Sequence, residues 1–142
     1  MKKAKYIVIF LIIFLYSSIV YGENLDLTSS SSILIDSSTG RILYEKNPHI
    51  KMPMASTTKI MTALVALEQG NLDDEVIIKK EAVGIEGSSI YLREGEKISL
   101  EELLYGLMLR SGNDAAVAIA IHIGGSLENF IELMNHKAKE IG

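Results

Sequence analysis

Pro53-Met54-Ala55-Ser56-Thr57-Thr58-Lys59-Ile60-Met61-Thr62-Ala63-Leu64-Val65-Ala66-Leu67 is the stretch on which the fold turns. Ile60, Met61, Ala63, Leu64 and Leu67 recur at helical spacing and Gly70 stops the pattern, which predicts a helix from Ser56 to Gln69, buried on at least one face. Ser56 and Lys59, three apart at its start, share a face, so the amine can reach the hydroxyl. A serine hydroxyl is a weak nucleophile and needs a base beside it. A lysine amine becomes such a base when burial and neighbouring positive charge favour its neutral form. The positive field of a helix amino-terminus would stabilise negative charge at an acyl centre. The same residues also suit a plainer reading, a serine helix cap with a solvated lysine.

Toward the carboxy-terminus, Asp73 to Lys80 holds Val76-Ile77-Ile78, a candidate short strand. Turn residues at Glu86–Ser89 and Arg93–Glu96 bracket Ile90-Tyr91-Leu92. Ser99 and Glu102 form a capping box, in which hydroxyl and carboxylate each take a free backbone N–H. The helix they open carries Leu100, Leu103, Leu104, Leu107 and Met108 and runs into Ser111-Gly112-Asn113. A helix from Asp114 to Ile123, rich in alanine and β-branched residues, should be largely buried, and Gly124-Gly125 breaks it. Ser126 caps a last amphipathic helix with Leu127, Phe130, Ile131, Leu133 and Met134 on its apolar side. At the helix junction, Ser111 can relay a proton and the Asn113 carboxamide can pair with a peptide group. Ser, Gly and Asn are equally ordinary turn residues.

Toward the amino-terminus, a polar, serine-rich lead-in covers residues 24–32. Ile33-Leu34-Ile35, the turn Ser37-Ser38-Thr39-Gly40 and Arg41-Ile42-Leu43-Tyr44-Glu45 read as a β-hairpin, ended by Asn47-Pro48. No closing strand follows, and a lone hairpin is marginal in water, so the chain reads as truncated. Before it, Lys2, Lys3 and Lys5 precede an uncharged run from Ile7 to Tyr16, and Ser17, Ser18, Val20 and Gly22 supply small residues. Residues 1–22 therefore read as a secretory signal peptide cut after Gly22. The run is short for a membrane-spanning helix, which needs about 20 apolar residues.

Without that segment, 11 basic residues face 18 acidic ones. With no basic stripe, nucleic acid is excluded as an expected partner. The absence of cysteine rules out disulfides and thiolate metal sites. His49, His122 and His136 share no metal-ligand spacing, so no metal or cofactor is expected. Glu101-Glu102 reads as a capping pair and the methionines as core filler.

Taken together, Ser56-x-x-Lys59 and Ser111-Gly112-Asn113 resemble the first two motifs of penicillin-binding proteins and class A β-lactamases, whose third motif, Lys-Thr-Gly, does not occur in this sequence. The central Gly112 resembles the low-molecular-mass serine D-Ala-D-Ala carboxypeptidases in particular. So do Ile33–Asp36 with Thr39-Gly40 and Leu43–Glu45, Pro53–Thr62, Leu103–Ala118, and Phe130 through Met134-Asn135 to Gly142. The resemblance implies an α+β fold, β-lactamase/transpeptidase-like, with an antiparallel sheet begun by the hairpin plus a mostly helical region. Residues 23–142 would be its incomplete amino-terminal part. It implies Ser56 as acyl-ester nucleophile, Lys59 as general base, Ser111 as proton shuttle to the leaving D-alanine, and Asn113 as a binder of the substrate's amide backbone. The Ser56 N–H would be half of an oxyanion hole. The other half and the carboxylate-recognising Lys-Thr-Gly strand would lie past Gly142. Peptidoglycan pentapeptide stems would be the substrate and β-lactams inhibitors. The protein would be exported, acting at the outer face of the cytoplasmic membrane, in the cell wall or in the periplasm. Membrane contact would come only through the signal segment or a missing carboxy-terminal anchor. A class A β-lactamase-like hydrolase and an inactive product that only binds cell-wall peptides are the alternatives.

Overall fold

A computed structural model describes residues 25–142, and residues 1–22, read from the sequence as a signal peptide, lie outside them. The chain divides into two units, Met1–Lys51 and Met52–Gly142.

In the first unit, strands β1 (Ser32–Ile35) and β2 (Ile42–Lys46) pair antiparallel, with Leu34 opposite Tyr44, as the hairpin reading expects. The turn is built on Asp36. Its Oδ1 accepts the Ser38 hydroxyl at 2.6 Å and the N–H groups of Ser38 and Thr39 at 2.9 and 3.0 Å. The Ser38 hydroxyl foremost, then these N–H groups, hold the Asp36 carboxyl down at about 2. Gly40 completes the turn at φ +70°, where a β-carbon is disfavoured. Side chains of the second strand's end fasten the lead-in: Lys46 Nζ donates to the Leu27 carbonyl and Asn47 Nδ2 to that of Ser30. Ile33, Leu34, Ile35, Ile42 and Leu43 are all about half exposed, so both faces of the hairpin are apolar and open.

The second unit begins with a 3-10 turn, Ala55–Thr57, that leads into α1 (Thr58–Gln69). Strand β3 (Glu75–Ile77) follows, then β4 (Lys97–Ser99) and the helices α2 (Leu100–Arg110), α3 (Asn113–Gly124) and α4 (Leu127–Ile141). β3 and β4 pair antiparallel with Val76 opposite Ile98. β4 escaped the sequence reading because Lys97-Ile98-Ser99 holds a single apolar residue, without a run like the Val76-Ile77-Ile78 that marked β3.

Both halves of the capping box form: Ser99 Oγ accepts the Glu102 N–H at 3.2 Å and Glu102 Oε2 accepts the Ser99 N–H at 3.1 Å. Ser126 Oγ likewise accepts the Asn129 N–H and opens α4. α3 is apolar on nearly every side, so it can only be a central helix. It packs against α1, α2, α4 and the short turn Lys80–Ala82. Val65, Val76, Ile78, Leu100, Leu103, Leu107 and Phe130 fill the core around it, against its own Ile119. α3 and α4 meet at 86° across Gly124-Gly125. A β-carbon on Gly124 would lie 2.7 Å from the Phe130 nitrogen and 2.9 Å from its Cα, so the close approach requires glycine.

Three expectations need correction. Met108 and Ile131 are about half exposed, because each follows a core residue (Leu107, Phe130) and a one-residue step rotates the side chain off the buried face. Leu127, in the first turn of α4, is also largely open. Of the methionines, Met61 and Met134 pack against the core, whereas Met52, Met54 and Met108 are exposed. Among the described residues no single helix is long and apolar enough to cross a membrane.

Candidate active site

Ser56 lies in the 3-10 turn ahead of α1, one residue after Ala55, which adopts a left-handed φ of 48°. Its hydroxyl does not cap the helix, since no side-chain cap bond exists at either the turn or α1. Instead Ser56 Oγ is 2.9 Å from Ser111 Oγ and 3.5 Å from Lys59 Nζ. The plainer cap reading therefore fails for Ser56. The solvated-lysine reading fails too: Lys59 is partly buried and its amine donates to Asn113 Oδ1 at 2.7 Å. All four residues singled out in the sequence stand together within the second unit.

Ser111 terminates α2 in the left-handed conformation, φ 56° and ψ 34°. Helix ends favour glycine or asparagine there, because a β-carbon crowds the following carbonyl. Left-handed non-glycine residues on both sides of the Ser56–Ser111 contact, at positions 55 and 111, are backbone strain of the kind that gathers at functional sites. Gly112 follows, buried, with room for nothing larger: a β-carbon would lie 2.9 Å from Asp114 Oδ1 and 3.3 Å from Ile90 Cγ2.

The Asn113 carboxamide is held at both ends. Nδ2 donates to the Glu86 carbonyl at 2.7 Å, which turns Oδ1 toward Lys59. The Asn113 N–H donates to the Ser88 carbonyl at 2.7 Å. One N–H of Nδ2 and one lone pair of Oδ1 remain for a further partner.

Asp114 is the member of this neighbourhood that sequence reasoning missed, having taken it for a helix start alone. It is 1% exposed. Its carboxylate accepts the Ser89 hydroxyl at 2.6 Å and the N–H groups of Ile90, Leu92 and Ala115 at 3.1, 3.1 and 2.9 Å. Burial pulls this carboxyl upward most strongly, but the four donors together outweigh it and hold the group below its ordinary value.

Among the described residues no group of three or more histidine, aspartate or glutamate side chains is placed to hold a metal ion. His122 pairs instead with Asp74, Nε2 to Oδ2 3.3 Å. An open apolar groove of about 300 Å³ between α1 and α2, lined by Leu67, Leu72, Leu104, Tyr105 and Met108, includes none of the four site residues.

A serine hydroxyl that meets a lysine amine and a second hydroxyl, with no histidine beside it, has the chemistry of a serine–lysine acyl-transfer centre. The family described as D-alanyl-D-alanine carboxypeptidase, peptidase S11, matches residues 19–142, and the chain belongs to that family. It is 44% identical over 119 residues to the D-alanyl-D-alanine carboxypeptidase DacF of Bacillus subtilis, covering 80% of this chain and 31% of that protein. Among solved structures it is similar to the D-alanyl-D-alanine carboxypeptidase DacD from Francisella tularensis, with 38% identity and a TM-score of 0.80, over 87% of this chain and 31% of that one. It is also similar to a D-alanyl-D-alanine carboxypeptidase from Mycobacterium tuberculosis, with 31% identity and a TM-score of 0.81, over 87% and 47% of the two chains. The chain spans about a third of the length of the curated relatives it matches. The fold is the mixed α and β penicillin-binding, transpeptidase-like one that the resemblance implied.

Proposed function

We propose that this chain supplies the nucleophilic half of a serine-type D-Ala-D-Ala carboxypeptidase that removes the terminal D-alanine from peptidoglycan stem peptides. The observation that carries the reading is the convergence of Ser56, Lys59 and Ser111 on one hydroxyl pair, with Lys59 held by Asn113. Lys59, as general base, takes the Ser56 proton as Oγ attacks the penultimate carbonyl carbon. The tetrahedral oxyanion collapses, the C–N bond breaks, and the proton passes through Ser111 to the leaving D-alanine amine. An acyl ester on Ser56 remains. Water then attacks that ester, and Lys59 receives the proton and returns it to Ser56. The remaining N–H of Asn113 is available to an amide carbonyl of the substrate. No metal enters these steps. β-Lactams would enter the same route and stay on Ser56.

The buried Gly112, which resembles the low-molecular-mass carboxypeptidases where the general motif carries aspartate, favours the carboxypeptidase over the β-lactamase alternative. Residues 1–22 would direct export, and residues 23–142 would form part of a catalytic domain at the cell wall.

Intact-mass measurement of residues 23–142 with and without penicillin, beside Ser56→Ala, tests the reading. One penicilloyl adduct per chain, absent from Ser56→Ala, is the expected result. A folded chain by circular dichroism that takes no adduct would overturn it, and leave at most a binder of cell-wall peptides.

A further inference from the structure

Lys59 and Asn113 are 54 residues apart in sequence, yet their contact is 2.7 Å. Something must fix the Asn113 carboxamide so that its oxygen, not its nitrogen, meets the amine. The immediate cause is the Glu86 carbonyl, which accepts from Nδ2. Glu86 belongs to an irregular segment, residues 86–92, that has no strand or helix to hold it. Tyr91, within it, is 84% exposed and left-handed at φ 63°, so the segment's apolar anchorage comes from Ile90 and Leu92, which reach the core but do not orient the Glu86 carbonyl by themselves.

We infer that Asp114 is the positioning residue of this site: its buried carboxylate fastens the 86–92 segment to the start of α3 and thereby aims the Asn113 carboxamide at Lys59. Three of its partners, the Ser89 hydroxyl and the Ile90 and Leu92 N–H groups, belong to that segment, and the fourth is the Ala115 N–H of α3. Asn113 closes the loop from the other side, through its N–H to the Ser88 carbonyl and its Nδ2 to the Glu86 carbonyl. A buried carboxylate is costly unless its lone pairs are filled, and here the 86–92 segment supplies three of the four donors. Asp114 touches none of Ser56, Lys59 or Ser111 through any hydrogen bond, so it acts through Asn113. Gly112 adds a constraint, because a side chain there would press on Asp114 Oδ1 at 2.9 Å.

This inference rests on the proposed acyl transfer for its consequence in rate but not for its geometry, and the test separates the two. Asp114→Asn keeps the shape, removes the charge and turns an amide donor toward N–H groups that need an acceptor. Its penicillin acylation rate should fall about tenfold or more, the scale of a displaced catalytic group. In the wild type, the two side-chain amide protons of Asn113, assigned by their loss in Asn113→Ala, should be well separated and slow to exchange. In Asp114→Asn they should converge and exchange faster. If Asp114→Asn does not fold, Ser89→Ala, which removes one partner and leaves the charge, should move both readouts in the same direction by a smaller amount. Wild-type-like rate and amide signals in a folded variant would overturn the inference. If the wild type itself takes no penicillin, the proposed function fails, and the amide signals alone decide the role of Asp114.

Discussion

The hydroxyl of Ser111 is hydrogen-bonded to that of Ser56 at 2.9 Å, although 55 residues of chain separate them. Ser111→Ala removes this contact and leaves Lys59 in place. Stopped-flow acylation by penicillin should slow by about 10²- to 10⁴-fold, the scale of a lost general acid–base group, with the far-ultraviolet spectrum unchanged.

Lys59→Arg separates charge from basicity. Arginine preserves a cation and a donor for Asn113 Oδ1, but a guanidinium does not give up its proton at ordinary pH. The variant should fold with a thermal midpoint near the wild type and form no penicilloyl adduct by mass. An adduct at the wild-type rate would exclude Lys59 as base.

Gly124 and Gly70 make a paired test of packing. A β-carbon at 124 meets the Phe130 backbone at 2.7 Å, whereas one at 70 meets the terminal methyls of Ile123 and Leu100 at 2.6 Å and backbone only at the Ala66 carbonyl oxygen, 3.0 Å away. Side-chain ends can turn away and backbone cannot. Gly124→Ala should therefore cost about 1–3 kcal/mol in urea unfolding, the ordinary scale of overpacking, and more than Gly70→Ala.

Acid should act on two carboxylates in the same direction. Asp36 is held at about 2 against an ordinary 3.8 by the Ser38 hydroxyl, then by the N–H groups of Thr39 and Ser38. A depressed carboxyl stabilises the fold fully above its ordinary value and loses that effect as pH falls through the folded one. The Thr39 amide resonance should thus titrate near pH 2. Asp114 is lowered as well, so the α3 start and residues 86–92 should stay ordered through the ordinary carboxylate range and loosen only below it. Loss of the Ile90 and Leu92 amide protection already at pH 5 would contradict this.

Local signals made much of this molecule legible in advance. Ser99 and Glu102, Ser126, and Gly124-Gly125 act within one turn of themselves, so the boundaries of α2, α3 and α4 could be read from neighbours in sequence. Ser56-x-x-Lys59 was legible for the same reason. The bond between Lys59 and Asn113, and the three bonds that Ser89, Ile90 and Leu92 make to Asp114, join residues that only the tertiary fold brings together, and nothing in their composition announces them. Asp114 looked like a helix-start acid, which it also is. The 3-10 turn at Ala55–Thr57 was hidden by an apolar pattern that begins just after it.

Ser111 ends α2 in a conformation that glycine would adopt without the β-carbon penalty of about 1–2 kcal/mol. Fold and chemistry therefore pull this position in opposite directions, and Ser111→Gly should give a sturdier chain with a poorer site. A lineage that no longer acylates feels only the first pull. Its members should drift to glycine at 111 while their core stays intact, so one codon would tell a living enzyme from its fossil.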